Sequence, residues 1–251
     1  MDANHGLLNA AVIVLTAEKL LQTQGFGSRK QCRHWISHGD LTVQGETIRD
    51  PSTPLQLHDH VSTFQFQAKT HTYHQQLYLA LNKPLGYECS HQTSHHPSVF
   101  ELLPASFIGR GLQCVGRLDQ DTSGLLLLTD DGSFLHALTH PRKHVSKRYQ
   151  LVCADPIAAD VLTQLANGVT LRQDGVVQAS NIVQLDDHSL QLSITQGLYH
   201  QVRRMLAATG HRVVSLERIA IAGLQLDQLT LPSGHWRPLS PTEIALSRTA
   251  L

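Results

Sequence analysis

The feature that most limits the fold of this chain is a polar loop leading directly into four consecutive leucines, Leu125 to Leu128. A short apolar run between polar and glycine residues is typical of a strand that is buried on both faces. The loop before it carries Arg117, Asp119, Asp121 and Thr122. Polar side chains on a loop anchored by a buried strand are well positioned for chemistry. The residues alone leave two interpretations open: a catalytic acid at Asp119, or a structural Arg117–Asp119 ion pair beside a turn capped by Asp121 and Thr122.

The composition is that of a folded globular protein. The chain has 251 residues, of which 41% are hydrophobic and 16% charged, which argues against intrinsic disorder. No apolar stretch approaches the roughly 20 residues that a membrane-spanning helix needs, and the N-terminus lacks a signal-peptide pattern. We therefore expect a cytoplasmic protein with no membrane partner. Because 20 Lys and Arg balance 20 Asp and Glu, any nucleic-acid binding must depend on local basic patches.

The metal-ligating residue types do not predict a metal site. His136, His140 and His144 follow one another at intervals of four residues, but Pro141 interrupts the helix that would align them. The wide spacing of the cysteines fits reduced thiols better than a disulfide framework or a zinc site. These cysteines are Cys32, Cys89, Cys114 and Cys153. We expect no metal and no cofactor.

Residues 12–62 have the pattern of a small separate domain. Thr16 predicts the start of a short first helix. Ser28 and Gln31 form a capping box that starts a second helix, and Gly39 ends it. The residues that follow, 41–48, have the pattern of a β-hairpin.

The second predicted helix carries a cationic face. Arg29 and Arg33 are four residues apart and so lie on one side, with Lys30 adjacent to Arg29 in the sequence. Such a face suits the phosphates of RNA. We predict that these three residues contact RNA.

The rest of the chain predicts a linker and a larger domain. Residues 63–76 are rich in Gln, Thr and His without apolar periodicity, which favours a linker. Residues 77–251 contain strand-like apolar runs, among them 149–153 and 190–194, and two predicted helices, 157–166 and 201–209. Because strands and helices do not alternate regularly, the pattern predicts an α+β domain.

The first domain resembles the S4 RNA-binding domain. The family pattern Gly-Ser-Arg-(Lys/Arg), then a helix, then Val-x-Gly in a hairpin, appears between Gly27 and Ile48. The family usually opens with Arg-Leu-Asp-Lys, whereas this chain has Thr16-Ala17-Glu18-Lys19, which removes one cation. The alternative interpretation is a small helical cap on the larger domain.

The segment from Gly116 to Gly132 resembles the signature of a family of ribosomal RNA pseudouridine synthases. The family pattern is Gly-Arg-Leu-Asp-x-x-(Thr/Ser)-x-Gly-Leu-Leu-Leu-Leu-Thr-(Asn/Asp)-Asp-Gly, and the match is complete. The resemblance implies that Asp119 is the catalytic residue, acting as nucleophile or as general base without a cofactor. It also implies substrate contacts by Arg117 and Thr122. The implied fold is a small S4-like α/β domain followed by a synthase domain built on a mixed, mainly antiparallel sheet with flanking helices.

A second motif, from Lys147 to Val152, is similar to the family's Lys-x-Tyr pattern. The resemblance implies that Tyr149 lies against the target base, which must leave its stack to enter the site. The alternative is a strand tyrosine that fills the core. The surrounding basic run predicts phosphate contacts. Its cations are Arg142, Lys143, Lys147 and Arg148.

A third motif, from Gln196 to Met205, is similar to the family's Glu-Gly-(Arg/Lys)-x-His-Gln-(Val/Ile)-(Arg/Lys)-Arg-Met. The resemblance implies that Arg203 lies beside Asp119 and favours its ionised form, and we predict that Arg204 contacts RNA. Gln196 replaces the usual Glu, and Leu198 replaces a usual cation.

The resemblance extends to two further segments. Residues 82–86 match an Asn-Lys-Pro-x-Gly turn that we expect to support the RNA groove from below. Residues 88–99 resemble the member of the family that modifies one uridine of small-subunit ribosomal RNA. The expected partner is therefore ribosomal RNA or an assembling small subunit, bound by a monomer.

Three alternatives remain open. The protein could modify large-subunit RNA, or it could be a non-catalytic RNA-binding protein of ribosome assembly. It could also be a glycosidase that uses Asp119 and Asp121 as a carboxylate pair, although such acids usually come from separate elements.

Overall fold

A computed structural model of the protein describes residues 12–249, which divide into two compact units. The N-terminal unit runs up to Leu77 and also includes Leu103–Leu112. The C-terminal unit contains Tyr78–Leu102 and the chain from Gln113 onward. The predicted catalytic domain of residues 77–251 is therefore interrupted by a segment that clusters with the other unit.

The N-terminal unit contains a strand pair, a small antiparallel sheet and three helices. Strands β1 and β4 pair with each other, and the sheet has the order β3-β2-β5-β6. Its elements are β1 (Val12–Thr16), α1 (Ala17–Thr23), α2 (Arg29–His38), β2 (Leu41–Val43), β3 (Glu46–Ile48), β4 (Pro54–His58), β5 (Thr63–Phe66), β6 (Lys69–Thr72) and α3 (Ala105–Gly109).

The predicted helix starts of this unit are confirmed. The Thr16 hydroxyl accepts a hydrogen bond from the Lys19 backbone N–H at 3.3 Å, which caps α1. Ser28 and Gln31 form the predicted capping box of α2, and Gly39 ends this helix in the left-handed conformation with φ 85°. The hairpin formed by β2 and β3 also agrees with the prediction.

The prediction of a linker at residues 63–76 is wrong for its first ten residues or so, because strands β5 and β6 lie there. Phe64 and Phe66 are buried, and their rings lie 5.9 Å and 4.7 Å from the ring of Phe26. The two phenylalanines alternate with polar residues, which is the period of a half-buried strand. The high content of Gln, Thr and His hid this short alternation.

The inserted segment is closely packed within the N-terminal unit. Arg110 donates hydrogen bonds to the Gln24 side chain and to the His74 backbone oxygen, each at 2.9 Å. Gly25 has φ 78°, and a Cβ added there would overlap the backbone of α3 at Ser106. Glycine is therefore required for this close approach.

The C-terminal unit is built on one large sheet with flanking helices. The sheet has the order β13-β14-β10-β15-β9-β7-β17, with β16 beside β15 and β8 beside β9. The helices and strands of the whole C-terminal unit are β7 (Tyr78–Lys83), β8 (Gln113–Cys114), β9 (Ser123–Thr129), α4 (Gly132–Thr139), β10 (Lys147–Cys153), α5 (Ala159–Asn167), β11 (Val169–Leu171), β12 (Gly175–Val177), β13 (Ser180–Gln184), β14 (Ser189–Ile194), α6 (Gln201–Ala208), β15 (Val213–Ile221), β16 (Leu224–Gln225), β17 (Trp236–Pro238) and α7 (Pro241–Leu246).

The pairing of these strands confirms the predicted α+β class. Within the described residues the sheet is antiparallel except where β9 runs parallel to β15. The sheet is therefore mixed and mainly antiparallel, as expected.

Strand β9 occupies the interior of the sheet. Leu125 to Leu128 are fully buried, and Phe134 and Leu138 of α4 belong to the same core cluster as Leu125 and Leu127. Gly124 has φ 101°, and a Cβ there would lie 2.4 Å from the Arg218 backbone oxygen on β15. The predicted loop thus enters the sheet where β9 and β15 meet.

The helices are short. Within residues 12–249, none has the length and apolar character needed to cross a membrane.

Candidate active site

A cleft of about 450 Å³ opens in the C-terminal unit above the loop that precedes β9. This volume lies within the range of roughly 300–1,000 Å³ that is typical of ligand pockets. Asp119, Tyr149 and Arg218 all line it, together with residues 194–202. The cleft therefore brings two of the three predicted catalytic residues to one surface.

Lys83 fixes the loop that carries Asp119. Its side chain is fully buried, and its Nζ donates to the backbone oxygens of Pro84, Asp119 and Thr122 at 3.1, 3.0 and 2.9 Å. Burial lowers the pKa of Lys83 from its ordinary value. The predicted Asn-Lys-Pro-x-Gly turn thus supports the loop of Asp119 directly, and the Gly86 N–H adds a bond to the Gln120 oxygen.

The carboxylate of Asp119 faces the cleft. Its side chain is 38% exposed, and its Oδ1 lies 3.5 Å from Nε2 of His200. His200 immediately precedes α6 and was part of the third motif, but sequence analysis assigned it no role. The carboxylate remains accessible to a ligand in the cleft.

The predicted pairing of Arg203 with Asp119 is wrong. Arg203 Nη2 lies 2.9 Å from Asp121 Oδ2 and donates to the Asp121 backbone oxygen at 2.8 Å, and Nη1 donates to the Val213 oxygen at 3.1 Å. Positions 200 and 203 are three apart and lie on the same side of the helix start. His200 meets Asp119, while Arg203, one turn later, meets Asp121.

Arg218 is the arginine that sequence analysis missed. It is 1% exposed, its Nε donates to the Leu125 backbone oxygen at 2.8 Å, and its Nη2 has no hydrogen-bond partner among the described residues. A buried guanidinium with an unused donor favours an anion or a carbonyl oxygen in the cleft. The sequence carried no clear signal for Arg218. Leu216, Arg218 and Ala220 are buried at alternate positions of β15, but the intervening Ile219 is also apolar, so alternation alone does not place Arg218 on the buried face.

Tyr149 is positioned by the same strands. It lies on β10 in register with Arg218 on β15, so the two side chains are cross-strand neighbours. Tyr149 is 8% exposed and lines the cleft. The sequence left two interpretations of Tyr149 open, a residue of the binding site or a strand residue of the core. The structure shows a buried strand residue that also lines the cleft.

The basic run before Tyr149 divides into exposed and partly buried cations. Arg142 and Lys143 are exposed in a 3-10 turn. Lys147 lines the cleft and donates to the Val145 oxygen at 2.8 Å. Burial, assisted by the charge of Arg218, lowers the pKa of Lys147 to about 8.

The remaining predicted RNA-binding residues of this unit differ in how exposed they are and in whether they are already bonded within the protein. Arg117 is exposed at the cleft, and Thr122 lines it with a buried hydroxyl that has no hydrogen-bond partner among residues 12–249. Arg148 is half-buried, with an Nε that likewise has none. Arg204 pairs with Asp174 at 2.7 Å and also donates to the Arg172 oxygen, so it is engaged within the protein.

Two thiols lie beneath the loop. The Leu118 N–H donates to Cys89 Sγ at 3.5 Å. A hydrogen bond with Cys114 lowers the pKa of Cys89, and the same bond together with burial raises the pKa of Cys114. All four cysteines are free, as predicted, but Cys89 and Cys114 are only partly buried.

In the N-terminal unit, Glu18 engages two of the three predicted RNA contacts. Its carboxylate lies 2.7 Å from Arg29 Nε and 3.4 Å from Arg33 Nε, while both arginine side chains stay more than half exposed. Lys30 is exposed beside them. The cationic face is present, and an acidic residue partly neutralises it.

One group of metal-ligating side chains in this unit was not singled out by the sequence. It consists of Asp59, His60 and His74. The two Nδ1 atoms of the histidines lie 2.9 Å apart, and His60 Nε2 lies 3.4 Å from Asp59 Oδ2. Both ring nitrogens of His60 are thus engaged within the group.

Comparison with known proteins identifies the family. The model of the RNA pseudouridylate synthase family matches residues 77–208, and the S4 domain model matches residues 18–61. The chain is 35% identical to ribosomal small subunit pseudouridine synthase A of Haemophilus influenzae, over 86% of this chain and 92% of that protein. It is 37% identical to the protein of the same name from Escherichia coli (strain K12), over 91% and 97%. A crystal structure of a pseudouridylate synthase superposes with a TM-score of 0.64 at 33% identity, covering 93% of this chain and 99% of that one. The chain therefore belongs to the RNA pseudouridylate synthase family, with an S4 domain preceding the synthase domain.

Proposed function

We propose that this protein converts one uridine of small-subunit ribosomal RNA to pseudouridine, with Asp119 as its catalytic carboxylate. The observation that carries this proposal is the placement of Asp119, Tyr149 and Arg218 around one cleft. Family membership supports the reaction. The support for the small subunit is the name shared by relatives that this chain covers over 92% and 97% of their length.

The reaction detaches uracil from C1′ of the ribose at N1, turns it, and rejoins it to C1′ through C5. The bond from C1′ to N1 breaks, the bond from C1′ to C5 forms, and the hydrogen on C5 is lost as a proton while N1 gains one. A carboxylate in the position of Asp119 can attack as a nucleophile or remove a proton from the sugar. Either route needs the uridine to be extruded into the cleft.

The other groups of the cleft have defined tasks in this proposal. The Tyr149 ring forms a flat wall for the extruded uracil, and stacking on an aromatic ring offsets part of the cost of leaving the RNA stack. Arg218 lines the same cleft, and its buried Nη2 has no hydrogen-bond partner among the described residues. In this proposal it donates to the Asp119 carboxylate or to a uracil carbonyl. Arg218 then has the role that the resemblance implied for Arg203.

The RNA contacts divide between the two units. In the C-terminal unit, Arg117, Arg142 and Lys143 are exposed and can meet phosphates. In the N-terminal unit, the S4 domain presents Arg29, Lys30 and Arg33. We infer that ribosomal RNA or an assembling small subunit is the partner, that one cleft per chain makes a monomer sufficient, and that the protein acts in the cytoplasm.

The glycosidase alternative receives no support from the geometry. Asp121 is held by Arg203 and is not among the residues that line the cleft. Asp119 and Asp121 therefore do not face one ligand from opposite sides, as a carboxylate pair must.

Mapping pseudouridine in both ribosomal RNAs tests the proposal. RNA from cells that lack the gene is compared with RNA from cells complemented by the wild type or by Asp119→Asn. We expect one small-subunit position to lose its pseudouridine and to regain it only with the wild type. An unchanged map, or a change confined to large-subunit RNA, would contradict the proposal.

A further inference from the structure

Two stacked rings lie at the edge of the cleft, in the segment that precedes α6. The rings of Tyr199 and His200 have centroids 4.0 Å apart and an interplanar angle of 16°. Tyr199 is 73% exposed, the highest value among the large hydrophobic residues of the part of the chain described, residues 12–249. An exposed aromatic ring at the edge of a cleft commonly marks a binding surface.

The inner ring of this pair faces the catalytic carboxylate. His200 Nε2 lies 3.5 Å from Asp119 Oδ1, and both residues line the cleft together with Tyr199. The pair thus extends from Asp119 outward, with His200 in the middle and the tyrosine ring outermost.

The backbone that carries both rings is held by several contacts. His200 has φ 47° and ψ 34°, a left-handed conformation that non-glycine residues rarely adopt. The buried Gln201 accepts from the Leu198 N–H at 3.2 Å and donates to the Gln196 side chain at 2.9 Å. Arg204 donates to the Tyr199 backbone oxygen at 3.1 Å. A backbone fixed in this way reduces the reorganisation needed to bind a ligand on the rings.

We propose that the exposed ring of Tyr199 binds, by stacking, an unpaired nucleobase next to the target uridine in the RNA chain. This inference rests on the proposed function and adds a subsite to it. Unstacked bases in single-stranded RNA are commonly bound on aromatic side chains. The exposed Arg117 on the same cleft can meet the phosphate that joins neighbouring nucleotides.

The chemistry of this subsite sets its selectivity. Every base has a flat face, so stacking tolerates any base identity. It requires, however, that the base be unpaired. The subsite therefore selects a uridine whose neighbour is single-stranded and gives little preference to the neighbour's sequence.

A double-mutant cycle tests this subsite. Short RNAs carry the mapped uridine with C5 tritium and either both neighbouring bases or an abasic nucleotide on one side. The kcat/KM for tritium release is measured for the wild type, Tyr199→Phe and Tyr199→Leu. Val183→Ser is the matched control, because Val183 is an exposed apolar residue on β13.

Loss of one particular neighbouring base should lower kcat/KM of the wild type by about tenfold, within the range measured for base stacking on aromatic residues. Tyr199→Leu should lower kcat/KM on the intact RNA by a similar factor and be insensitive to that abasic nucleotide. Tyr199→Phe keeps the ring and should keep the sensitivity. The proposal would be overturned if, with both abasic RNAs, the loss in kcat/KM from Tyr199→Leu multiplied the loss from the missing base, because the two changes would then be independent.

A binding measurement separates this subsite from the catalytic assignment. Asp119→Asn binds RNA that carries 2-aminopurine beside the target uridine, and quenching of its fluorescence reports stacking without turnover. We expect quenching with Asp119→Asn and its loss when Tyr199→Leu is added. Equal quenching by both proteins would overturn the subsite, whereas tritium release by Asp119→Asn at the wild-type rate would overturn only the role of Asp119.

Discussion

The Lys83 ammonium group lies 3.0 Å from the backbone carbonyl oxygen of Asp119, and its side chain is fully buried. A buried charge is costly unless it is well hydrogen-bonded, and here the ammonium group donates to the backbone oxygens of Pro84, Asp119 and Thr122. Lys83 does not line the cleft. We therefore infer that Lys83 is a positioning residue, which acts on the proposed reaction through the loop.

Replacing Lys83 should impair both stability and turnover. Lys83→Met leaves the oxygens of Pro84, Asp119 and Thr122 without this donor, so we expect a loss of about 3 kcal/mol in the free energy of unfolding. We also expect kcat to fall about tenfold to a hundredfold, with a smaller change in KM, because Asp119 loses its orientation. Urea unfolding and steady-state kinetics check these values. Lys69→Met, on the exposed face of β6, is the control, and a wild-type kcat for Lys83→Met would rule out the positioning role.

Replacing Arg218 and replacing Arg203 should have different effects on catalysis. Arg218→Met should lower kcat by a hundredfold or more, because it removes a buried donor from the cleft. Arg203→Met should have a smaller effect, since its guanidinium bonds Asp121 and two backbone oxygens. A double-mutant cycle on the free energy of unfolding should give a coupling of roughly 0.5–1.5 kcal/mol between Arg203 and Asp121 and almost none between Arg203 and Asp119. The opposite order of couplings would restore the pairing expected from the sequence.

The pH dependence of the free energy of unfolding should reveal the lowered pKa of Lys147. Its pKa is about 8 in the folded protein, against an ordinary value of 10.5. Between these two values the unfolded chain binds more protons, so the stability of the folded state increases as pH rises from about 8 to 10.5. Lys147→Met should remove this increase and raise stability at pH 7 by about 1 kcal/mol. Thermal unfolding across pH measures both effects, and Lys143→Met, at an exposed position, should change neither; a parallel pH curve for Lys147→Met would contradict this account.

The S4 domain should bind RNA more tightly when Glu18 is neutralised. Glu18→Gln releases Arg29 and Arg33 from their ion pairs, so we expect a gain of about threefold in affinity at low salt and a steeper dependence on salt concentration. The triple change of Arg29, Lys30 and Arg33 to alanine should have the reverse effect. Filter binding over a salt series measures this, with Glu46→Gln on the exposed surface of β3 as the control. Unchanged affinity in both variants would place the RNA elsewhere.

Local signals in the sequence predicted much of the fold. The capping box at Ser28 and the glycine at Gly39 act over a few residues, and both ends of α2 follow from them. The four leucines predicted β9 within one or two residues, because a strand buried on both faces leaves a continuous apolar run. Strands β5 and β6 were mistaken for a linker because the alternation of Phe64 and Phe66 is only two apolar positions long.

The candidate site was predicted only in part because its contacts join distant segments. Asp119 and Tyr149 were found through motifs, each contained within a few residues. Which arginine enters the cleft depends on the register of β15 against β9 and β10. No local pattern distinguishes Arg203 on a helix from Arg218 on a strand until that register is known. The alternate burial along β15 that includes Arg218 is visible only in the structure.

The most direct test of the catalytic assignment is tritium release from small-subunit RNA labelled at C5 of uridine, measured in parallel with RNA binding. Asp119→Asn should lower the rate of release by at least about a thousandfold, while the Kd for the RNA stays within about threefold of the wild type. Asp121→Asn, which changes a carboxylate on the same loop, should retain most of the rate. Release by Asp119→Asn at the wild-type rate would contradict the assignment of Asp119.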